Sequence, residues 1–156
     1  MKDATEADWS WLARAVELSR RSFPVGTAYS VGAIIVAADG EQLTEGYSRD
    51  DGPHLHAEES ALVKAERLFP PDSLTGATIY SSMEPCTIRK SRPRTCTELI
   101  LASGIKRVVF AVREPPVFVD CIGAELLQSA GIEVIEIPEL ADLVRTVNAH
   151  ILNPNP

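Results

Sequence analysis

The sequence lacks what a membrane or exported protein needs. No apolar run approaches the roughly 20 residues that span a bilayer. The first stretch, MKDATEADWSWLARAVELSRR, has no uninterrupted apolar core of a secretory leader. A cytoplasmic protein with no membrane partner is therefore expected. Positive charge is also scarce: 15 Lys and Arg stand against 22 Asp and Glu, for a net charge of −7. That balance argues against extended contact with a phosphate backbone, so no nucleic-acid partner is expected. Cysteine is rarer still. Three thiols, an odd number without an export signal, do not suit a disulfide framework and point to metal or catalysis. There is no internal repeat and no low-complexity segment.

What remains is ordinary globular material, 45% hydrophobic and 24% charged over 156 residues. One domain is expected over residues 1–150, with 151–156, ending in NPNP, a disordered tail. Trp9, Leu12, Ala13 and Val16 make an apolar stripe at helical spacing, so residues 5–22 read as a helix. SVGAIIVAADG is a β-branched run ending in Asp39-Gly40, a hairpin turn, with EQLTEGYS as partner strand. HAEESALVKAERLF is a second helix stopped by Pro70-Pro71. GATIYSSM, KRVVFAVR and IEVIEI read as strands, separated by helices over TCTELILASGI and VDCIGAELLQSAG. PELADLVRTVNAHIL reads as one closing helix with Pro at its first position. The order predicts an α/β fold, a five-stranded mixed sheet with an initial β-hairpin and parallel later strands, covered by helices on both faces.

In such sheets chemistry gathers at the carboxyl ends of strands. His56 opens a helix after the hairpin, and Cys86 follows the third strand. His56, Cys86 and Cys96 offer one imidazole and two thiolates, a soft donor set suited to Zn2+. Three protein ligands leave a fourth tetrahedral position open, the mark of a catalytic zinc site. Cys96, behind Thr95 as cap, starts a helix whose N–H groups favour the thiolate. Glu58 lies two residues after His56. If His56 is the cap residue, with non-helical backbone angles, both side chains can converge and Glu58 can serve as the proton carrier. Glu59 points elsewhere by the same geometry. Between the cysteines sit Arg89, Lys90, Arg92 and Arg94, for which two readings stay open: a solvated loop, or a rim guiding a polar or anionic substrate. Cys121 reads as a core or pocket-wall residue, His54 as a pocket border and His150 as a surface residue of the last helix.

HAE followed by EPC is the pairing used by zinc nucleobase deaminases, except that nine residues rather than two separate the cysteines here. From about Trp9 to Ile137 the chain resembles the cytidine deaminase superfamily, and most closely the pyrimidine deaminase domain of riboflavin biosynthesis, where a comparable loop separates the cysteines. The resemblance implies a three-layer α/β/α cytidine deaminase-like fold, one zinc per subunit held by His56, Cys86 and Cys96, catalysis by Glu58, and a homodimer. It also implies substrate contacts. Many members carry an Asn before the Val-Gly that is Val31-Gly32 here; Ala28 takes its place, with Tyr29 and Ser30 beside it. Backbone around Ala57-Glu58 and Ser82-Met83 is expected to position the ring. The histidines that riboflavin enzymes carry in the inter-cysteine loop are replaced around Ile88 and Arg89. Glu114, Phe118 and Asp120 match the region where base deaminases of the superfamily place ring-binding carboxylates and an aromatic cover. The other reading there is a solvated Glu and a helix-capping Asp.

The main expectation is a hydrolase that removes an exocyclic amine from a small nitrogen heterocycle, a free nucleobase or an aminotriazine-, purine- or pyrimidine-like ring, releasing ammonia. The alternative is the phosphorylated aminopyrimidine of the riboflavin pathway. tRNA editing would want a basic closing helix, which ELADLVRTVNAHIL is not. A structural-zinc binding module would want a fourth protein ligand and would have no use for Glu58.

Overall fold

Thr5 and Asp8 start the first helix reciprocally. The Thr5 hydroxyl accepts the Asp8 backbone N–H at 3.1 Å, and the Asp8 carboxylate accepts the Thr5 N–H at 2.9 Å. This capping box satisfies two otherwise orphaned donors. A computed structural model describes residues 3–86, 94–113, 115 and 121–152. In it the helix, α1, spans Glu6–Ser19. The hairpin follows as β1 (Gly32–Val36) and β2 (Gln42–Tyr47), turning at Gly40 with φ 91°, a left-handed conformation that suits glycine. Next come α2 (Ala57–Leu68), β3 (Thr78–Met83), α3 (Cys96–Ser103) and β4 (Arg107–Val112). The described chain closes with α4 (Gly123–Ser129), β5 (Glu133–Glu136), α5 (Ala141–Val147) and α6 (Ala149–Leu152).

The strands lie in the order β2-β1-β3-β4-β5. β1 runs antiparallel to both β2 and β3, while β3, β4 and β5 are parallel. Strand alternation divides the core into two layers. Ala33, Ile35, Ile79 and Val108 face one side, where Ala57, Ala61 and Ala65 of α2, Ile100 of α3 and Leu127 of α4 cover them. Ile34, Val36, Tyr80 and Val109 face the other, against Leu12, Ala15 and Val16 of α1 and Val144 of α5. The three-layer α/β/α arrangement and the mixed sheet are as expected. Gly46 lets α2 settle directly on β2, since a Cβ there would lie 2.6 Å from the Ser60 Cβ and 2.7 Å from the Ala57 carbonyl oxygen.

Two expectations are corrected. The closing helix is not one piece but a 3-10 turn at Pro138–Leu140 followed by α5 and α6. The break falls at Asn148, which is fully buried. Its Oδ1 accepts the Ser30 N–H at 2.7 Å, and its amide donates to the Ser30 and Val144 carbonyls. A side chain committed to backbone groups in this way competes with helical pairing. His150 is half-buried rather than on the surface, with an Nε2 that has no hydrogen-bond partner among the described residues. At the amino ends of β4 and β5, Arg107 forks onto both Asp8 oxygens at 2.6 Å and reaches Glu133 at 2.6 Å, while the Tyr80 hydroxyl donates to Asp8 at 2.8 Å.

Candidate active site

His56 is the N-cap of α2, with φ −83° and ψ 158°. In that extended conformation the side chain makes no capping bond, and the imidazole turns toward Cys86 beyond the carboxyl end of β3. Cys86 lies three residues beyond β3. Glu84 continues the sheet through its N–H to the Val112 carbonyl at 2.9 Å. Thr97 of α3 then fastens the turn: its hydroxyl donates to the Cys86 carbonyl at 2.9 Å and its N–H to the same oxygen at 3.2 Å. On the other flank Gly123 packs so closely that a Cβ would run into the Pro85 carbonyl oxygen. The Cys121 thiol donates to that same oxygen at 3.2 Å, so this half-buried residue is a wall of the ligand turn. Cys96 is the first residue of α3, behind Thr95, whose hydroxyl accepts the Glu98 N–H at 3.2 Å.

The structure brings the three expected donors together. His56 Nδ1 stands 3.6 Å from Cys86 Sγ and 3.3 Å from Cys96 Sγ, and all three donor atoms lie within 4.8 Å of one another. Tetrahedral zinc with its usual bond lengths would hold an imidazole nitrogen and a thiolate about 3.5 Å apart. The residues present therefore fit the ion. None of the three cysteines is in a disulfide. Cys86 is held far below the usual thiol range, first by hydrogen bonding with Cys96, then by His56 and by the Cys96 backbone N–H at 3.4 Å, against the opposing effect of burial. Thiolate is the ligand form.

Glu58 is buried in the first turn of α2. Burial pushes its carboxyl up, opposed by a hydrogen bond from Ser81, while the charges of Cys86 and His56 bear on it in opposite senses. A buried carboxyl raised beside a metal-ligand cluster is the environment in which a proton can be taken and returned. Ala57, also fully buried, is the first residue of the helix.

The remaining expected contacts are spread more widely. Tyr29 and Ser30 sit on the segment entering β1, pinned from several directions. The Tyr29 hydroxyl donates to the Pro115 carbonyl at 3.3 Å, Asn148 clasps Ser30, and the buried Ser30 hydroxyl has no hydrogen-bond partner among the described residues. Arg49, at φ 62°, ties this segment to the loop that leads to His56. It donates to the Tyr29 carbonyl at 3.3 Å, the Ser22 hydroxyl at 2.8 Å and the Phe23 carbonyl at 2.9 Å. Ser82 and Met83 are buried, and the Ser82 hydroxyl accepts the Gly32 N–H at 3.1 Å, a task internal to the sheet. His54 is exposed. Arg89, Glu114, Phe118 and Asp120 lie outside the described residues. Sequence reasoning missed Ser81, Arg49 and Asn148. The polar pair in the buried strand TIYSSM was the available signal for Ser81, whereas the other two act across the fold.

An imidazole, two cysteine sulfurs and a buried carboxyl at the carboxyl end of a mixed sheet are the residue set that zinc-dependent deaminases use. Residues 5–112 match the family described as the cytidine and deoxycytidylate deaminase zinc-binding region, and the chain belongs to that family. It is 42% identical over 126 residues to the diaminohydroxyphosphoribosylamino-pyrimidine deaminase of Schizosaccharomyces pombe, covering 81% of this chain and 31% of that protein. It is 37% identical over 128 residues to the riboflavin biosynthesis protein RibD of Escherichia coli, covering 81% of this chain and 33% of the relative. Among solved structures it resembles the diaminohydroxyphosphoribosylaminopyrimidine deaminase/5-amino-6-(5-phosphoribosylamino)uracil reductase of Thermotoga maritima. The TM-score is 0.81 with 32% identity, over 96% of this chain and 42% of that one. The chain thus spans about a third of the length of the curated relatives it matches.

Proposed function

We propose that the protein hydrolyses the exocyclic C–N bond of diaminohydroxyphosphoribosylaminopyrimidine, exchanging an amine for oxygen and releasing ammonia. One observation carries this reading: the donor set and Glu58 lie within a stretch shared with relatives whose names include deamination of this substrate, one of them paired with a reductase activity. It narrows the broader expectation of any small nitrogen heterocycle. Zinc, held by His56, Cys86 and Cys96, would supply the Lewis acidity that makes water a nucleophile near neutral pH. Glu58 accepts the proton of the water that adds to the amine-bearing ring carbon. It passes that proton to the adjacent ring nitrogen. It then takes the proton left on the added oxygen and hands it to the amine, which departs as ammonia as the C–N bond breaks and the carbonyl forms. The segment carrying Tyr29 and Ser30, held by Asn148 and Arg49, borders the ring, and the start of α2 at Ala57 supplies backbone donors. Arg89, Glu114, Phe118 and Asp120 complete the substrate contacts in this reading.

Ammonia release from the phosphoribosylaminopyrimidine, measured beside cytosine, guanine and an aminotriazine, tests the assignment. Release from the nucleotide alone is expected. Release from a free base with none from the nucleotide would overturn it in favour of the broader reading. Glu58→Gln is expected to keep stoichiometric zinc and the wild-type circular dichroism spectrum while losing roughly 100-fold or more in turnover. Near-normal turnover in that variant would end the proton-carrier role.

The protein is also read as a homodimer. Val63 of α2, Leu101 of α3 and Leu126 of α4 are exposed apolar residues on helices of one layer.

A further inference from the structure

Glu58 is 4% exposed, so water does little to complete its hydrogen bonding. Among the described residues a single side chain reaches it: Ser81 Oγ donates to Glu58 Oε1 at 2.6 Å. That is the length expected when a hydroxyl meets an ionised oxygen, and such bonds are stronger than neutral ones. Ser81 is fully buried in the middle of the sheet, on β3 between Ala33 of β1 and Phe110 of β4. Ile79, two residues earlier on the same strand face, belongs to the apolar layer under α2. A hydroxyl in such a place is destabilising unless partnered. The second neighbour of the hydroxyl is the Met83 carbonyl at 2.8 Å, at the end of β3 just before the turn to Cys86.

We propose that Ser81 is a positioning residue for the deamination. Its hydroxyl, whose single proton goes to Glu58 in preference to the Met83 carbonyl, fixes the orientation of the Glu58 carboxylate beside the donor cluster. The proposal rests on the reading of Glu58 as proton carrier. The geometry explains why an anchor matters. A glutamate side chain has three rotatable bonds, and proton transfer needs the carboxylate placed within a fraction of an ångström. α2 fixes only the Glu58 backbone. Ser81 fixes the far end of the side chain, and it does so from β3, the strand that also delivers Cys86. One strand thus sets the distance between the carboxyl and a metal ligand.

The test compares Ser81→Ala, Ser81→Val and Ser81→Thr with Glu58→Gln. Ala and Val remove the hydroxyl, one by shrinking the side chain and one by replacing it, so a folding failure of the larger still leaves the smaller. On the phosphoribosylaminopyrimidine, loss of a hydrogen bond to a charged group should lower kcat about 10- to 100-fold. KM should stay within about twofold and the zinc-to-protein ratio should not change. Thr, which restores the hydroxyl, should recover most of the loss. Independently of activity, crystal structures of the zinc-loaded proteins should show Glu58 in one conformer in the wild type and the Thr variant. In the Ala variant the carboxylate should be turned or split. An unmoved carboxylate in Ser81→Ala, or wild-type kcat in that variant with Glu58→Gln inactive, overturns the Ser81 assignment alone. Activity in Glu58→Gln overturns the proton-carrier reading beneath it.

Discussion

Two buried carboxyls, Asp8 and Glu58, bond adjacent residues of β3 from opposite faces of the sheet, and their side-chain partners separate their roles. Asp8 receives Arg107 on both oxygens, the Tyr80 hydroxyl and the Thr5 N–H. Burial alone would raise its carboxyl, but the Arg107 hydrogen bonds, helped by Thr5 and Tyr80, hold it at about 2. Glu58 has only the Ser81 hydroxyl among the described side chains and is pushed up. A carboxyl held low by many partners locks structure, while one left high with few is available for proton transfer. The pH dependence follows from the sign of the Asp8 shift. Its folded pKa lies below the ordinary value of 3.8, so its stabilisation is present above about pH 4 and is lost as pH falls toward 2. The shift corresponds to roughly 2 kcal/mol. Urea midpoints measured from pH 6 to pH 2 should fall more steeply for the wild type than for Asp8→Asn. Parallel curves for the two proteins would remove Asp8 from the acid sensitivity.

Among the elements, the turn carrying Cys86 depends on close approach from both sides. Gly123 begins α4 against the Pro85 carbonyl, and the Ala124 N–H donates to the buried Glu84 carboxylate at 3.0 Å. Gly123→Ala forces the helix or the turn to move, and overpacking of this kind costs about 1–3 kcal/mol. A lower Tm together with weaker zinc retention is expected, as measured by calorimetry and by competition with a chelator. Unchanged zinc retention would show that the turn does not rely on α4. Punctuation residues made most elements legible beforehand: Asp39-Gly40, Pro70-Pro71 and Thr95 mark boundaries by chemistry local to the chain. The metal donors were legible for the same reason, since helix starts and strand ends announce themselves. Asn148 and Ser81 were not. Each acts on a partner far along the chain, Ser30 or Glu58, and short-range periodicity carries no trace of that. The split closing helix was missed for the same cause, because helical spacing continues through Asn148 while its side chain bonds elsewhere.

For the molecule as a whole, the layer of α1 and α5 exposes Trp9 and Leu143, and the layer of α2, α3 and α4 exposes Val63, Leu101 and Leu126. A second copy docking on that layer would remove these side chains from water, each contributing on the order of 1 kcal/mol when buried. Sedimentation velocity should report a dimer, and the pair Leu101→Glu with Leu126→Glu should shift it to monomer without disturbing the circular dichroism spectrum. A wild-type monomer at all concentrations would remove this surface as an interface.

His56 lies 30 residues from Cys86 and 40 from Cys96 along the chain, and each arrives on a different element. No short peptide of this protein can grip the ion. During synthesis the three donors are all present once the start of α3 has left the ribosome, before β4 and β5 exist, so their convergence reports on the pairing of β1 with β3 and the seating of α2 rather than on the whole sheet. Strains that loosen that pairing should accordingly shed their ion before they lose their outline.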